Sequence, residues 1–106
     1  MTRRITKLQD RNELLTALLA EECGEVVQRA CKVLRWGMDD KNYTKLHEEI
    51  GDVVGVIDLL AKHGVIDLNL IDERREYKVN KIMRYHADII EPELNDIPSE
   101  MSQKAD

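Results

Sequence analysis

Apolar residues recur along this chain at intervals of three and four, the period of an α-helix, in runs separated by glycine, asparagine and proline. The first run puts Leu14, Leu15, Leu18, Leu19, Val26, Ala30 and Val33 on one broad face and predicts a helix from about Asp10 to Trp36, stopped by Gly37. The second carries Leu46, Ile50, Val53, Val54, Ile57 and Leu60 and predicts a helix that begins after Asn42 as N-cap and ends near His63, before Gly64. The third runs from Asp67 or Asn69 through Leu70, Ile71, Tyr77, Ile82 and Tyr85 to Ile90, and Pro92 closes it. The expected fold class is all-α, a bundle of three or four helices per chain. Residues 1–90 make the helical domain; residues 91–106, polar and interrupted by Pro92 and Pro98, make a tail or arm.

Two details of the pattern point beyond a monomer. Val56 and Leu59 widen the apolar face of the second helix beyond what three helices can cover, so a homodimer or larger assembly is expected to complete the bundle. Gly24, Gly51 and Gly55 lie inside helices at a cost in propensity, which close packing would explain.

Composition narrows the function classes. The chain has 106 residues, one domain's worth, and its net charge of −5 should repel nucleic acid, so no nucleic-acid partner is expected and a polyanionic ligand would need a bridging cation. No run approaches the roughly 20 apolar residues that span a bilayer, and Met1-Thr2-Arg3-Arg4 lacks the apolar core of a signal peptide. No membrane partner and a cytoplasmic location are expected. Cys23 and Cys31 stand eight residues apart on one helix, roughly 12 Å of rise, too far to bond, and read as small buried apolar residues of a reducing compartment.

Against this background the acidic residues stand out. Glu21-Glu22-Cys23-Gly24-Glu25 and Glu48-Glu49-Ile50-Gly51-Asp52 both lie within apolar helical stretches. At about 100° per residue, Glu22 and Glu25 share the face of Leu14, Leu15 and Leu18, and Glu49 and Asp52 fall beside Val53 and Val56, so all four are expected to point inward. Glu48 turns toward the polar side. Inward carboxylates must be paired, protonated or bound to a cation. Carboxylates three apart can reach one ion, and with no His or Cys at ligand spacing the set suits Mg²⁺, with Mn²⁺ as substitute. A di-iron centre would need a Glu-x-x-His motif, and no Glu here has a His three positions later. His63 reads as a dipole partner at a helix end, and His47 and His86 as surface residues.

Glu21-Glu22-x-x-Glu25 followed by Glu49-x-x-Asp52 resembles the EExxE…ExxD signature of the all-α nucleoside triphosphate pyrophosphatases, the MazG-like superfamily. The run from Ala20 to Gln28, leading to Lys32-Val33-Leu34-Arg35-Trp36-Gly37, is similar to that of the small single-domain members found in phages, which carry Phe where this chain has Trp36. The segment from Lys78 to Tyr85 is similar to their basic closing segment, so the likeness spans residues 10–86. The resemblance implies Mg²⁺-dependent hydrolysis of a (d)NTP, with (d)GTP a first candidate, between the α and β phosphorus atoms, in the host cytoplasm if phage-encoded. It implies a homodimer or a homotetramer built as a dimer of dimers, with sites near subunit interfaces, Glu22, Glu25, Glu49 and Asp52 as metal ligands, and Glu21 as the residue that orients or deprotonates the water. Lys78 and Lys81 match basic positions of the family, and Arg84 is a nearby alternative.

Helical spacing puts Lys32 and Trp36 on the side of Glu25, where Lys32 would touch phosphate and Trp36 stack on a base, unless both are packing or surface residues. Tyr85 would cap the sugar or close the core. The competing class is a non-enzymatic helical interaction or regulatory module on the same scaffold.

Overall fold

The computed structural model describes residues 7–93. These form three helices and no strand: α1 (Lys7–Trp36), α2 (Asp40–Lys62) and α3 (Leu68–Ile90). The all-α class is as expected. The chain divides between Asp67 and Leu68 into two compact units. The expected tail is described only as far as Glu93; the rest of it, and Pro98, lie outside the described residues.

The first unit is a helical hairpin closed by local chemistry. Gly37, at φ 88°, ends α1 and donates its N–H to Val33 O at 2.8 Å, a conformation a side chain would oppose. Two residues later Asp39 caps α2, its carboxylate accepting from the Asn42 N–H at 2.7 Å. Asn42 is therefore not the N-cap that the sequence suggested. It lies in the first turn of α2 with its own side chain engaged elsewhere: Nδ2 donates to Gly37 O at 2.7 Å, and Oδ1 accepts from Arg29 Nη1 at 3.1 Å. At 5% exposure it is the buried polar residue of the hairpin. α2 ends as the pattern predicts. His63 is the C-cap, Gly64 takes φ 72°, and Gly64 and Val65 donate to Ala61 O and Leu60 O at 3.1 and 2.9 Å, the paired bonds of a Schellman motif. That turn folds Val65 and Ile66 back onto the core.

The core is small: Leu15, Val56 and Leu60, backed by Leu18, Leu19, Val65 and Ile66. Val56, expected to extend the apolar face of α2 toward a second copy, is at its centre, while Leu14 and Ala30, expected on the buried face, are exposed. The reason is the narrowness of a two-helix seam. A hairpin covers an arc only one or two residues wide on each helix, and Leu14 and Ala30 lie outside it. Cys23 and Cys31, expected buried, are exposed for the same reason. The mid-helix glycines are not explained by close packing within the chain, because a Cβ at Gly24, Gly51 or Gly55 would meet nothing within 4 Å.

The second unit is built on α3. None of its described residues is buried; Ile82, Met83 and Ala87 are half-buried. Arg75 ion-pairs with Asp72 at 3.5 Å, and Tyr85, read as a core candidate, is exposed.

Candidate metal centre

Three layers lie along the α1–α2 seam, seven residues apart on each helix. Leu15 belongs with Val56 at one end, Arg29 bonds Asn42 at the other, and Glu22 stands with Glu49 between them. A step toward the C-terminus of α1 matches a step toward the N-terminus of α2, so the helices are antiparallel. Seven residues are two helical turns, so Glu22 occupies on α1 the register of Leu15 and Arg29, and Glu49 on α2 that of Asn42 and Val56. A hairpin selected for stability alone would place leucines in the middle layer.

Oxygens of Glu22, Glu49 and Asp52 come within 4.8 Å of one another. Glu22 and Glu49 are half-buried and Asp52 is exposed. Glu25 is exposed and stands outside that group of three, but it is near enough, with Glu21, to act on Glu22. The Glu22 carboxyl is held above the usual value of 4.5, first by its partial burial and then by repulsion from Asp52, Glu49, Glu25 and Glu21. Glu22 and Glu49 are thus turned into the seam, Asp52 reaches them from an exposed position, and Glu25 does not join them. Glu48 turns away as expected and pairs with Lys45 at 3.3 Å.

Among the described residues no Lys or Arg forms an ion pair with the triad. The negative charge is left for a cation to balance. At the metal–oxygen distance of ~2.1 Å, neighbouring ligands of an octahedral Mg²⁺ lie about 3.0 Å apart and opposite ones about 4.2 Å, so oxygens spread over up to 4.8 Å would draw in by about an ångström to share one ion. Three carboxylates and no soft ligand fit a hard divalent ion.

The other candidate residues are not gathered at the triad within the first unit. Lys32 and Trp36 keep to the side of α1 that carries Glu25, but lie about 15 and 21 Å of helix rise beyond Glu22. Both are exposed, Trp36 by 70%. On α3, Lys81, Arg84 and Tyr85 line one hollow together with Tyr77 and Asn80, and Lys78 lines another with Ile71, Arg74 and Arg75. Sequence reasoning passed over Arg29 and read Asn42 only as a helix cap, whereas their bond fixes the hairpin register that brings Glu22 to Glu49. Their signal was the seven-residue spacing from each to its glutamate.

The opposite side of the seam is apolar. By register, Cys23, Ile50 and Val54 lie across the seam from Glu25 and Asp52, and with Val26 and Val53 they line a groove. No described helix is long and apolar enough to cross a membrane. Comparison with family models, with curated proteins and with solved structures gives no match.

Proposed function

We propose that this chain is a Mg²⁺-dependent nucleoside triphosphate pyrophosphohydrolase that cleaves a (d)NTP to (d)NMP and pyrophosphate. The observation that carries the reading is the carboxylate triad of Glu22, Glu49 and Asp52 in the seam of the hairpin, uncompensated by any described cation. These three residues would hold the metal, and Glu25, one turn from Glu22, would supply an outer carboxylate. A bound Mg²⁺ would neutralise the cluster, grip phosphate oxygens and acidify a coordinated water.

The chain's own residues supply the rest. Glu21 neighbours the triad without joining it, which leaves its carboxylate to accept the proton of the attacking water. The departing pyrophosphate gains negative charge and needs cations. Lys78 and Lys81, which match basic positions of the resembled family, would supply them, with Arg84 as a nearby alternative; by helical spacing Lys32 would touch phosphate and Trp36 stack on the base, and Tyr85 would cap the sugar. The apolar groove of Cys23, Val26, Ile50, Val53 and Val54 is surface that a homodimer or homotetramer would cover.

The test is anion-exchange analysis of products after incubation with each common NTP and dNTP, (d)GTP included, with Mg²⁺, with Mn²⁺ and with EDTA. Metal-dependent monophosphate plus pyrophosphate is the expected result. Absence of product from every nucleotide refutes the reading in favour of an interaction module. Release of orthophosphate instead would refute α–β cleavage.

A further inference from the structure

Charge in this chain is segregated. From Arg74 to Arg84, α3 carries five basic residues, Arg74, Arg75, Lys78, Lys81 and Arg84, against one carboxylate, Glu76; Asp72 and Glu73 before this run and Asp88 after it bring the whole helix to +1, in a chain of −5. Electrostatic screening acts over about 8 Å at physiological salt, so a ligand at α3 responds to this local balance more than to the total. The expectation that the surface repels nucleic acid averaged the two.

The arrangement is also ordered. Arg74, Tyr77, Lys78, Lys81, Arg84 and Tyr85 follow one another at helical spacing, forming one stripe along about 16 Å of α3, with Glu76 turned to the far side. Every member is exposed, Tyr77 by 50% and Tyr85 by 65%. Arg75, at the margin, is held by Asp72, whereas among the described residues no carboxylate ion-pairs with Lys78, Lys81 or Arg84. Arg74 lies 4.2 Å over the centre of the Tyr77 ring, and this stack is the ridge between two hollows, one beside Lys78 and one between Tyr77 and Tyr85 over Lys81 and Arg84. Glu73, one turn before Tyr77, and Asp88, one turn beyond Arg84, bound the stripe at its two ends.

We propose that this stripe binds single-stranded nucleic acid, with Lys78, Lys81 and Arg84 on successive phosphates and Tyr77 and Tyr85 stacked on bases. Cations alone would suit any polyanion. The two exposed rings set among them favour a strand whose bases are unpaired, because a duplex keeps its base faces stacked and an anionic bilayer offers none. The inference goes beyond the hydrolase reading: it shares Lys78, Lys81, Arg84 and Tyr85 with the nucleotide contacts proposed above, but neither metal nor turnover enters it.

The test is fluorescence anisotropy of a labelled oligo(dT) of about 15 nucleotides with the full chain in EDTA, between about 50 and 200 mM salt. Three phosphate contacts predict a slope of log K against log salt of about −2. Lys78→Ala/Lys81→Ala/Arg84→Ala should flatten that slope and weaken binding at least about tenfold at the lowest salt. Tyr77→Ala/Tyr85→Ala should weaken binding about tenfold or more and leave the slope in place. Circular dichroism establishes that both variants remain helical. The proposal is overturned if the wild type does not bind, or if the triple variant, still helical, binds equally well. It is also overturned if phosphatidylserine vesicles bind and the oligonucleotide does not. A protein that hydrolyses no nucleotide yet binds oligo(dT) in EDTA would refute the hydrolase reading alone.

Discussion

Replacing Asn42 with alanine should destabilise the hairpin more than any other single polar substitution in it. The side chain is 5% exposed and makes two hydrogen bonds, one from the charged Arg29 guanidinium at 3.1 Å and one to Gly37 O at 2.7 Å. A bond to a charged group contributes about 1.5–3 kcal/mol and a neutral one about 0.5–1.5, so the loss comes to roughly 2–4 kcal/mol. The partners have few replacements, since Arg29 Nε is already buried without an acceptor. With an m-value of about 1 kcal/mol/M, the urea midpoint followed by circular dichroism should fall by about 2 M or more. Asn42→Asp should also destabilise, since it keeps an acceptor for Arg29 but turns a carboxylate oxygen toward the Gly37 carbonyl. The reasoning is refuted if Asn42→Ala lies within about 0.5 kcal/mol of the wild type, the range of an ordinary surface substitution.

Other outcomes follow from the same seam. The carboxyl of Glu22 titrates above its unfolded value of 4.5, so its charge opposes folding above the raised value and the penalty is relieved as pH falls through it. In EDTA, the wild type should therefore gain stability relative to Glu22→Gln as pH is lowered from 8 toward 5, a comparison read from paired thermal melts; parallel melts at all pH values would remove the interaction. Leu60→Ala, at a site 2% exposed, should cost about 2–4 kcal/mol in chemical denaturation, and a cost under about 1 kcal/mol would mean that the core is not where these three residues place it. Asp39→Ala should cost about 1 kcal/mol by loss of the N-cap, measured in the same way; an unchanged midpoint would return the cap to another residue. Asp52→Asn should abolish nucleotide turnover while preserving the helical spectrum, and near-normal rates would dismiss it as a ligand. Glu21→Gln should retain metal binding and turn over slowly; unaltered turnover would remove it from proton transfer.

Much of the fold was legible because helices announce themselves through period and punctuation. Gly37 and Gly64 ended α1 and α2 where the sequence placed the stops, and Leu68–Ile90 matched the third run. The start of α2 was misread because Asp39, Asp40 and Asn42 all have capping side chains, and only three-dimensional context shows that Asn42 is engaged by Arg29 and Gly37. Periodicity gave the faces of the helices but not their width. It could not tell that Val56 would be central and Leu14 and Cys23 exposed, since those depend on how much of each helix a single partner covers. Of the four carboxylates expected to face inward, the seam gathers Glu22 and Glu49 together with the exposed Asp52, because register brings seven-residue repeats into facing layers and leaves Glu25 a turn away. A net value carries no record of position, and the basic run of α3 is visible only when counted by itself.

The most direct test of the central claim is titration of Mn²⁺ into the nucleotide-free protein, following the free ion by its electron paramagnetic resonance signal. The account predicts that the wild type depletes the signal saturably and that Glu22→Gln and Glu49→Gln, both still helical, do not. Equal depletion by the wild type and both variants, or none by the wild type at millimolar ion, would contradict a metal centre in the seam of α1 and α2.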